Sequence, residues 1–221
     1  MADHDSRSGT TYADRDIVAW IDALHHPLDP AAQRAFDAPT TEGMPAVQVG
    51  RGEGALLALL LRLHGARKVV EVGALAGFSA LHIARTLPED GHLWTVEYNP
   101  RHAAVTRANL DAAGVGAKVT VREGAGADVL PTLGEHGPFD AVFLDADKGG
   151  YLGYARWAAD NLRAGGLLIA DNTFLFGRLL REGDDEAVSV RAFHAFVQAR
   201  FDTAHVPTPD GMLVGVKRAT G

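Results

Sequence analysis

The 221-residue sequence predicts an α/β fold. The expected core is a doubly wound, mostly parallel seven-stranded sheet with helices on both faces and a C-terminal antiparallel hairpin. Three observations carry this. From Lys68 onward, short apolar runs alternate with helical segments. The runs "VVEV", "AVFL" and "LLIA" are nearly continuous in apolar residues, so both faces of those strands must be covered, as in a parallel sheet. The tail breaks the alternation with two strand-like runs, "FDTAHVPT" and "GMLVGVKR", around the turn "PTPDG".

The elements follow in order. Residues 1 to about 12 are polar and predicted to fray. Ile17, Val18, Trp20, Ile21 and Leu24 recur at helical spacing until Pro27 stops the helix. A short helix from Pro30 to Phe36 gives way to a loop, "DAPTTEGMPAVQVG", and a third helix runs from Gly52 to His64. "KVVEV" is the first strand, followed by the turn "GALAGFS" and a helix from Ser79 to Thr86. "HLWTVE" is a strand, and Asn99 caps a helix from Pro100 to Ala113 with proline at its first position. "KVTVRE" alternates as a strand should, "ADVLPTL" supplies a short helix, and "FDAVFLD" is the fourth strand. A helix ended by Gly165-Gly166 precedes the strand "LLIADN", and a last helix spans Ala187 to Arg200. Residues 67–221 form one domain, with 1–66 as a helical extension of it. Trp20, Trp94 and Trp157 fall on apolar faces and are expected in the core.

Composition narrows the function. A hydrophobic share of 47% with 22% charged residues is that of an ordinary globular protein. A net charge of −7 with scattered Arg and Lys argues against nucleic acid as a partner. The absence of cysteine removes disulfides, thiolate nucleophiles and cysteine-bound zinc, and fits a cytoplasmic protein. No run reaches the ~18 apolar residues of a membrane span, and the first residues lack the pattern of a signal peptide.

Ligands of open parallel sheets sit outside the carboxyl ends of the strands, where strand order reverses. Four of the five parallel strands end in or beside a carboxylate: Glu71, Glu97, Asp145 and Asp171. Acids that merely mark where strands meet water are the bland alternative for any one of them. The turn "EVGALAGFSA" places Gly73 and Gly77 where backbone must approach a ligand at a helix N-terminus. Its G-x-x-x-G spacing departs from the G-x-G-x-x-G of nicotinamide-binding folds and lacks the lysine of a P-loop. Glu97 stands where a ribose-binding acid belongs.

Asp145 and Asp171 would end neighbouring strands, and with Asn172 they offer three oxygen donors suited to a hard cation such as Mg²⁺, Mn²⁺ or Ca²⁺. Taken alone, "DN" reads first as a turn or helix cap, and only beside "DADK" does the cation reading lead. Lys148, three residues past Asp145, is a candidate general base, or else an ordinary partner of Asp147. A polarised hydroxyl beside a proton-accepting lysine describes activation of an oxygen nucleophile.

These segments resemble the cation-dependent class I O-methyltransferases that use S-adenosylmethionine, the group containing the caffeoyl-CoA and catechol O-methyltransferases, and within it the small bacterial members. The resemblance runs from Val49 to the C-terminus, through "VVEVGALAGFSALHIA", "VEYNP", "FDAVFLDADKGGY", "LLIADN" and "DGMLVGVKR". It implies a Rossmann-like sheet, S-adenosylmethionine and a divalent cation as cofactors, a phenolic or catechol-like acceptor, and a homodimer. It also implies that Asp145, Asp171 and Asn172 bind the cation and that Lys148 is the base, with Asp145 near the transferred methyl. Glu97 would hold the ribose. Gly73 and Ser79 would hold the methionine end, with Glu71 near its ammonium. Val49 would cover the cofactor, and Gly126 and Ala127 would touch its adenine. Gly149-Gly150 departs from the more polar residues of relatives. The segment 179–190, where acceptor choice is shaped, and the N-terminal helices match loosely. A nicotinamide-dependent oxidoreductase and a non-catalytic cofactor-binding module are the competing readings.

Overall fold

The computed structural model describes residues 12–219, so the expected frayed start lies, apart from Tyr12, outside the described residues. Three helices precede the sheet: α1 (Arg15–His25), α2 (Pro30–Thr41) and α3 (Arg51–His64). Asp14 and Asp29 cap the first two, each side chain accepting from two backbone N–H groups of the first turn. Helix α2 does not stop at Phe36 as its sequence suggests but continues through Pro39. An interior proline costs about 3 kcal/mol in an isolated helix. Here Ala32, Ala35, Ala38 and Pro39 make one buried face, and burying that stripe outweighs the lost hydrogen bond.

The remaining elements are β1 (Lys68–Val72), α4 (Phe78–Thr86), β2 (His92–Glu97), α5 (Pro100–Ala112), β3 (Val119–Glu123), α6 (Gly126–Leu133) and β4 (Phe139–Leu144). After them come α7 (Tyr151–Asn161), β5 (Leu162–Ala170), α8 (Asp185–Arg200), β6 (Phe201–Val206) and β7 (Met212–Lys217). The sheet order is β3-β2-β1-β4-β5-β7-β6. β1 to β5 pair in parallel and β7 runs antiparallel to both of its neighbours. Strand β5 starts five residues earlier than its apolar run suggests. Arg163 explains this: its Nε donates to Asp140 Oδ1 at 2.6 Å and draws the segment along β4, with a register shift before Ala141.

Alternation along the central strands divides the core. Val70, Val72, Val142 and Leu144 face one cluster with Tyr151, Phe139 and Phe193. Val69, Ala141, Phe143 and Ile169 face the other with Leu57, Phe78 and Leu81. This two-sided burial is why those runs carry few polar residues, each large apolar side chain contributing roughly 1.5–3 kcal/mol. Trp94 and Trp157 pack against the first cluster. Trp20 does not join a core: it is 66% exposed, because α1 buries none of its residues.

Candidate active site

Strand order reverses between β1 and β4, and there the carboxyl ends of the strands open into a cavity of about 1220 Å³. That is room for a nucleoside-sized ligand and a second small molecule. At the end of β1 the chain turns through Gly73, at φ +99°, where a Cβ would collide with the carbonyl oxygen of Asp145. Only glycine fits this close crossing of two strand ends. The turn is held by Glu97, whose Oε2 accepts from the N–H groups of Ala74 and Leu75 at 3.2 and 2.8 Å. Its Oε1 accepts from Asn99 N–H at 2.9 Å and lies 3.5 Å from His102 Nδ1.

Of the expected cofactor residues, Val49, Gly73, Ser79, Glu97, Gly126 and Ala127 line this cavity. Glu71 is fully buried and absent from the lining. Its Oε2 accepts from the Thr95 hydroxyl at 2.5 Å and its Oε1 has no partner. Burial pushes its carboxyl up to about 7, against the opposing Ser79 and Thr95 hydroxyls.

The proposed cation ligands stand on adjacent strand ends. Leu144 pairs with Ala170, and the ladder continues one residue further, Asp171 N–H donating to Leu144 O at 2.9 Å. Asp145 N–H likewise donates to Val72 O at 2.9 Å. Asp145, Asp171 and Asn172 all line the cavity. Asp171 is buried, and its Oδ1 has no hydrogen-bond partner. Burial, then the charge of Asp145, then that of Glu53, push its carboxyl up to about 7. Burial also raises Asp145, against the pull of Lys148. Among the described residues no group of three or more His, Cys, Asp or Glu is arranged to hold a metal. Two carboxylates and an amide form a different set. Its orphaned buried oxygen and mutual repulsion fit a hard cation that accepts oxygen donors.

Lys148 is buried in the cavity wall, its Nζ 3.5 Å from Asp145 Oδ1. Its close partner is Tyr151, to whose hydroxyl it donates at 2.6 Å. The Tyr151 hydroxyl in turn donates to Asp171 O at 2.9 Å, with Leu144 O at 3.2 Å. A phenol has one proton. With that proton on a carbonyl, Tyr151 only accepts from the lysine, so a neutral Lys148 must aim its lone pair elsewhere. Asp147 is engaged away from the lysine: it caps the turn, accepting from Gly150 N–H at 2.8 Å, and accepts from the Tyr154 hydroxyl at 2.6 Å.

Sequence reasoning missed Tyr151, Tyr154, Glu53, His102 and Asp210. The signal for Tyr151 was available, since a phenol three residues beyond a buried lysine needs a buried partner. Gly150 has a reason of its own: a Cβ there would strike the Tyr154 ring. In the segment 182–186, Asp184 caps α8 and pairs with Arg178 at 2.5 Å, and Glu186 pairs with the same arginine at 2.6 Å.

Comparison with known proteins places this arrangement. The family profile described as O-methyltransferase matches residues 32–218. A catechol O-methyltransferase of Niastella koreensis is 41% identical over 197 residues, covering 87% of this chain and 88% of that protein. One of Mycobacterium tuberculosis is 41% identical over 177 residues, covering 80% of each. The O-methyltransferase TomG of Streptomyces achromogenes, solved in complex with SAM, superposes with a TM-score of 0.87 at 30% identity, covering 95% of this chain and 100% of that one. The chain belongs to the O-methyltransferase family and is an S-adenosylmethionine-dependent O-methyltransferase.

Proposed function

We propose that the enzyme methylates a hydroxyl of a catechol-like phenol, with a divalent cation, Mg²⁺ first, held by Asp145, Asp171 and Asn172, and Lys148 as general base. The observation that carries this reading is the buried, unpartnered Asp171 Oδ1 in the same cavity wall as Asp145 and Lys148. The relatives named catechol O-methyltransferase support the acceptor class.

When bound, S-adenosylmethionine supplies the electrophilic methyl group, and a divalent cation supplies charge that makes an acceptor hydroxyl more acidic. Lys148 accepts the hydroxyl proton, its amine held in place by Tyr151. Glu97, fixed by three backbone N–H groups, takes the ribose hydroxyls. Gly73 and Ser79 would hold the methionine end, with Glu71 buried behind them on the side of its ammonium. Val49, in the cavity wall, would cover the bound cofactor, and Gly126 and Ala127 would lie against its adenine. Asp145, beside the lysine, orients the reacting end. A bound sulfonium and acceptor would thereby meet one preorganised wall of the cavity.

The reading includes a homodimer joined through α1, whose Ile17, Trp20, Ile21 and Leu24 are exposed. No helix among the described residues is long and apolar enough to cross a membrane. The cysteine-free sequence supports a cytoplasmic site of action. The test is methyl transfer to a catechol panel, followed by mass, before and after EDTA and with Mg²⁺ restored. Turnover lost in chelator and recovered with Mg²⁺ is expected; full turnover in chelator overturns the cation.

A further inference from the structure

The segment that carries Asn172 is held by the far end of the chain. Asn172, Leu175 and Phe176 all adopt left-handed backbone, at φ +51°, +54° and +52°. Such conformations cost roughly 1–3 kcal/mol each in non-glycine residues and persist where the surroundings over-determine them. The turn between β6 and β7 does so. Thr173 donates its N–H and its hydroxyl to Gly211 O, both at 2.9 Å. Phe174 N–H donates to Asp210 O at 3.0 Å, and Phe176 N–H to Asp210 Oδ1 at 2.7 Å. The other carboxylate oxygen, Asp210 Oδ2, is buried and unpartnered. The Asn172 side chain stands beside this carboxylate, and Asp210 lines the same cavity as Asp171 and Asn172.

We propose that Asp210 is the positioning residue for Asn172, receiving its amide N–H so that the amide oxygen is turned into the cavity. This rests on Asn172 as a cation ligand. The chemistry is one of sign. A side-chain amide has a donor end and an acceptor end, and an ionised carboxylate can only accept. Asp210 therefore selects the NH₂ end and leaves the oxygen for a cation, the role carboxylates play behind metal ligands elsewhere. Through Oδ1 the same residue fixes the backbone of Phe176, which with Phe174 lines the cavity, so it also sets part of the acceptor wall.

The test compares Asp210→Asn and Asp210→Ala with the parent enzyme, all saturated with S-adenosylhomocysteine, by Mn²⁺ titration followed in the electron paramagnetic resonance of the free ion. Asparagine keeps an oxygen for Phe176 N–H but lacks a second acceptor for Asn172; alanine lacks both. Both variants are expected to lose roughly tenfold in Mn²⁺ affinity with S-adenosylhomocysteine affinity unchanged. Acceptor KM rises more in the alanine variant. Parent-like Mn²⁺ affinity in both variants overturns the proposal alone. A parent enzyme that binds no Mn²⁺ overturns the cation assignment and this inference with it. Joint loss of S-adenosylhomocysteine and Mn²⁺ binding in both variants marks a purely structural role and also overturns it. Should the alanine variant fail to fold, the asparagine variant decides.

Discussion

Tyr151 ties the proposed base to both strand ends that carry acids, although it faces no bulk solvent. Tyr151→Phe keeps the ring and removes that tie. Steady-state kinetics are expected to show kcat reduced roughly tenfold or more, part of the 10²–10⁴ that a positioned base contributes, with S-adenosylhomocysteine affinity held. An unchanged kcat would show that Lys148 needs no such anchor. Lys148→Ala is expected to remove most turnover, and Lys148→Arg to fail to restore it, because guanidinium does not deprotonate at neutral pH. Gly73 is a different case, since its φ of +99° and its contact with the Asp145 carbonyl leave no space for a methyl group. Gly73→Ala is expected to destabilise by more than about 4 kcal/mol in urea unfolding, the range where backbone strain and overpacking combine.

At the scale of elements, α1 is an amphipathic helix with no buried side chain in the monomer. Replacing Trp20 and Leu24 by Glu therefore removes little packing within one chain. Light scattering is expected to give a monomer for this variant and a dimer for the parent. A parent that is monomeric at all concentrations sinks the dimer through α1. The segment after β5 works oppositely: Leu175 is buried against Ala187 and Val190 of α8, and Arg178 clasps Asp184 and Glu186. That wall of the cavity is built by side chains from both flanks, not by any propensity of the segment itself.

For the whole molecule, buried acids set the pH response. Glu71 has an ordinary value of 4.5 and is raised to about 7 by burial. A carboxyl raised on folding binds more protons in the folded state, so stability falls as pH rises from about 4.5 to about 7. At 1.36 kcal/mol per unit this amounts to roughly 3 kcal/mol for one fully buried acid. The ligand-free protein is expected to melt at a higher temperature near pH 5.5 than near pH 8, and Glu71→Gln to flatten that difference. Calorimetry at the two pH values decides. A melting temperature that rises across this window would show that other groups dominate.

By itself the sequence determined the sheet, its doubly wound character and the strand ends that carry Glu97, Asp145 and Asp171, because two-sided burial writes apolar runs that polar strand ends interrupt. It also singled out Gly73 and Lys148. Helix α2 past Phe36 and the early start of β5 were illegible, since a buried alanine face and the Arg163–Asp140 pair, both tertiary, override proline and glycine signals. Trp20 shows the reverse, an apolar spacing whose partner lies nowhere in the described chain. Only the tertiary structure brought the Tyr151 hydroxyl onto the Asp171 carbonyl and Asp210 beside Asn172. A hydrogen bond between residues 34 positions apart, Phe176 N–H to Asp210, leaves no local pattern in the sequence. The folded sheet alone decides which turn meets which strand end.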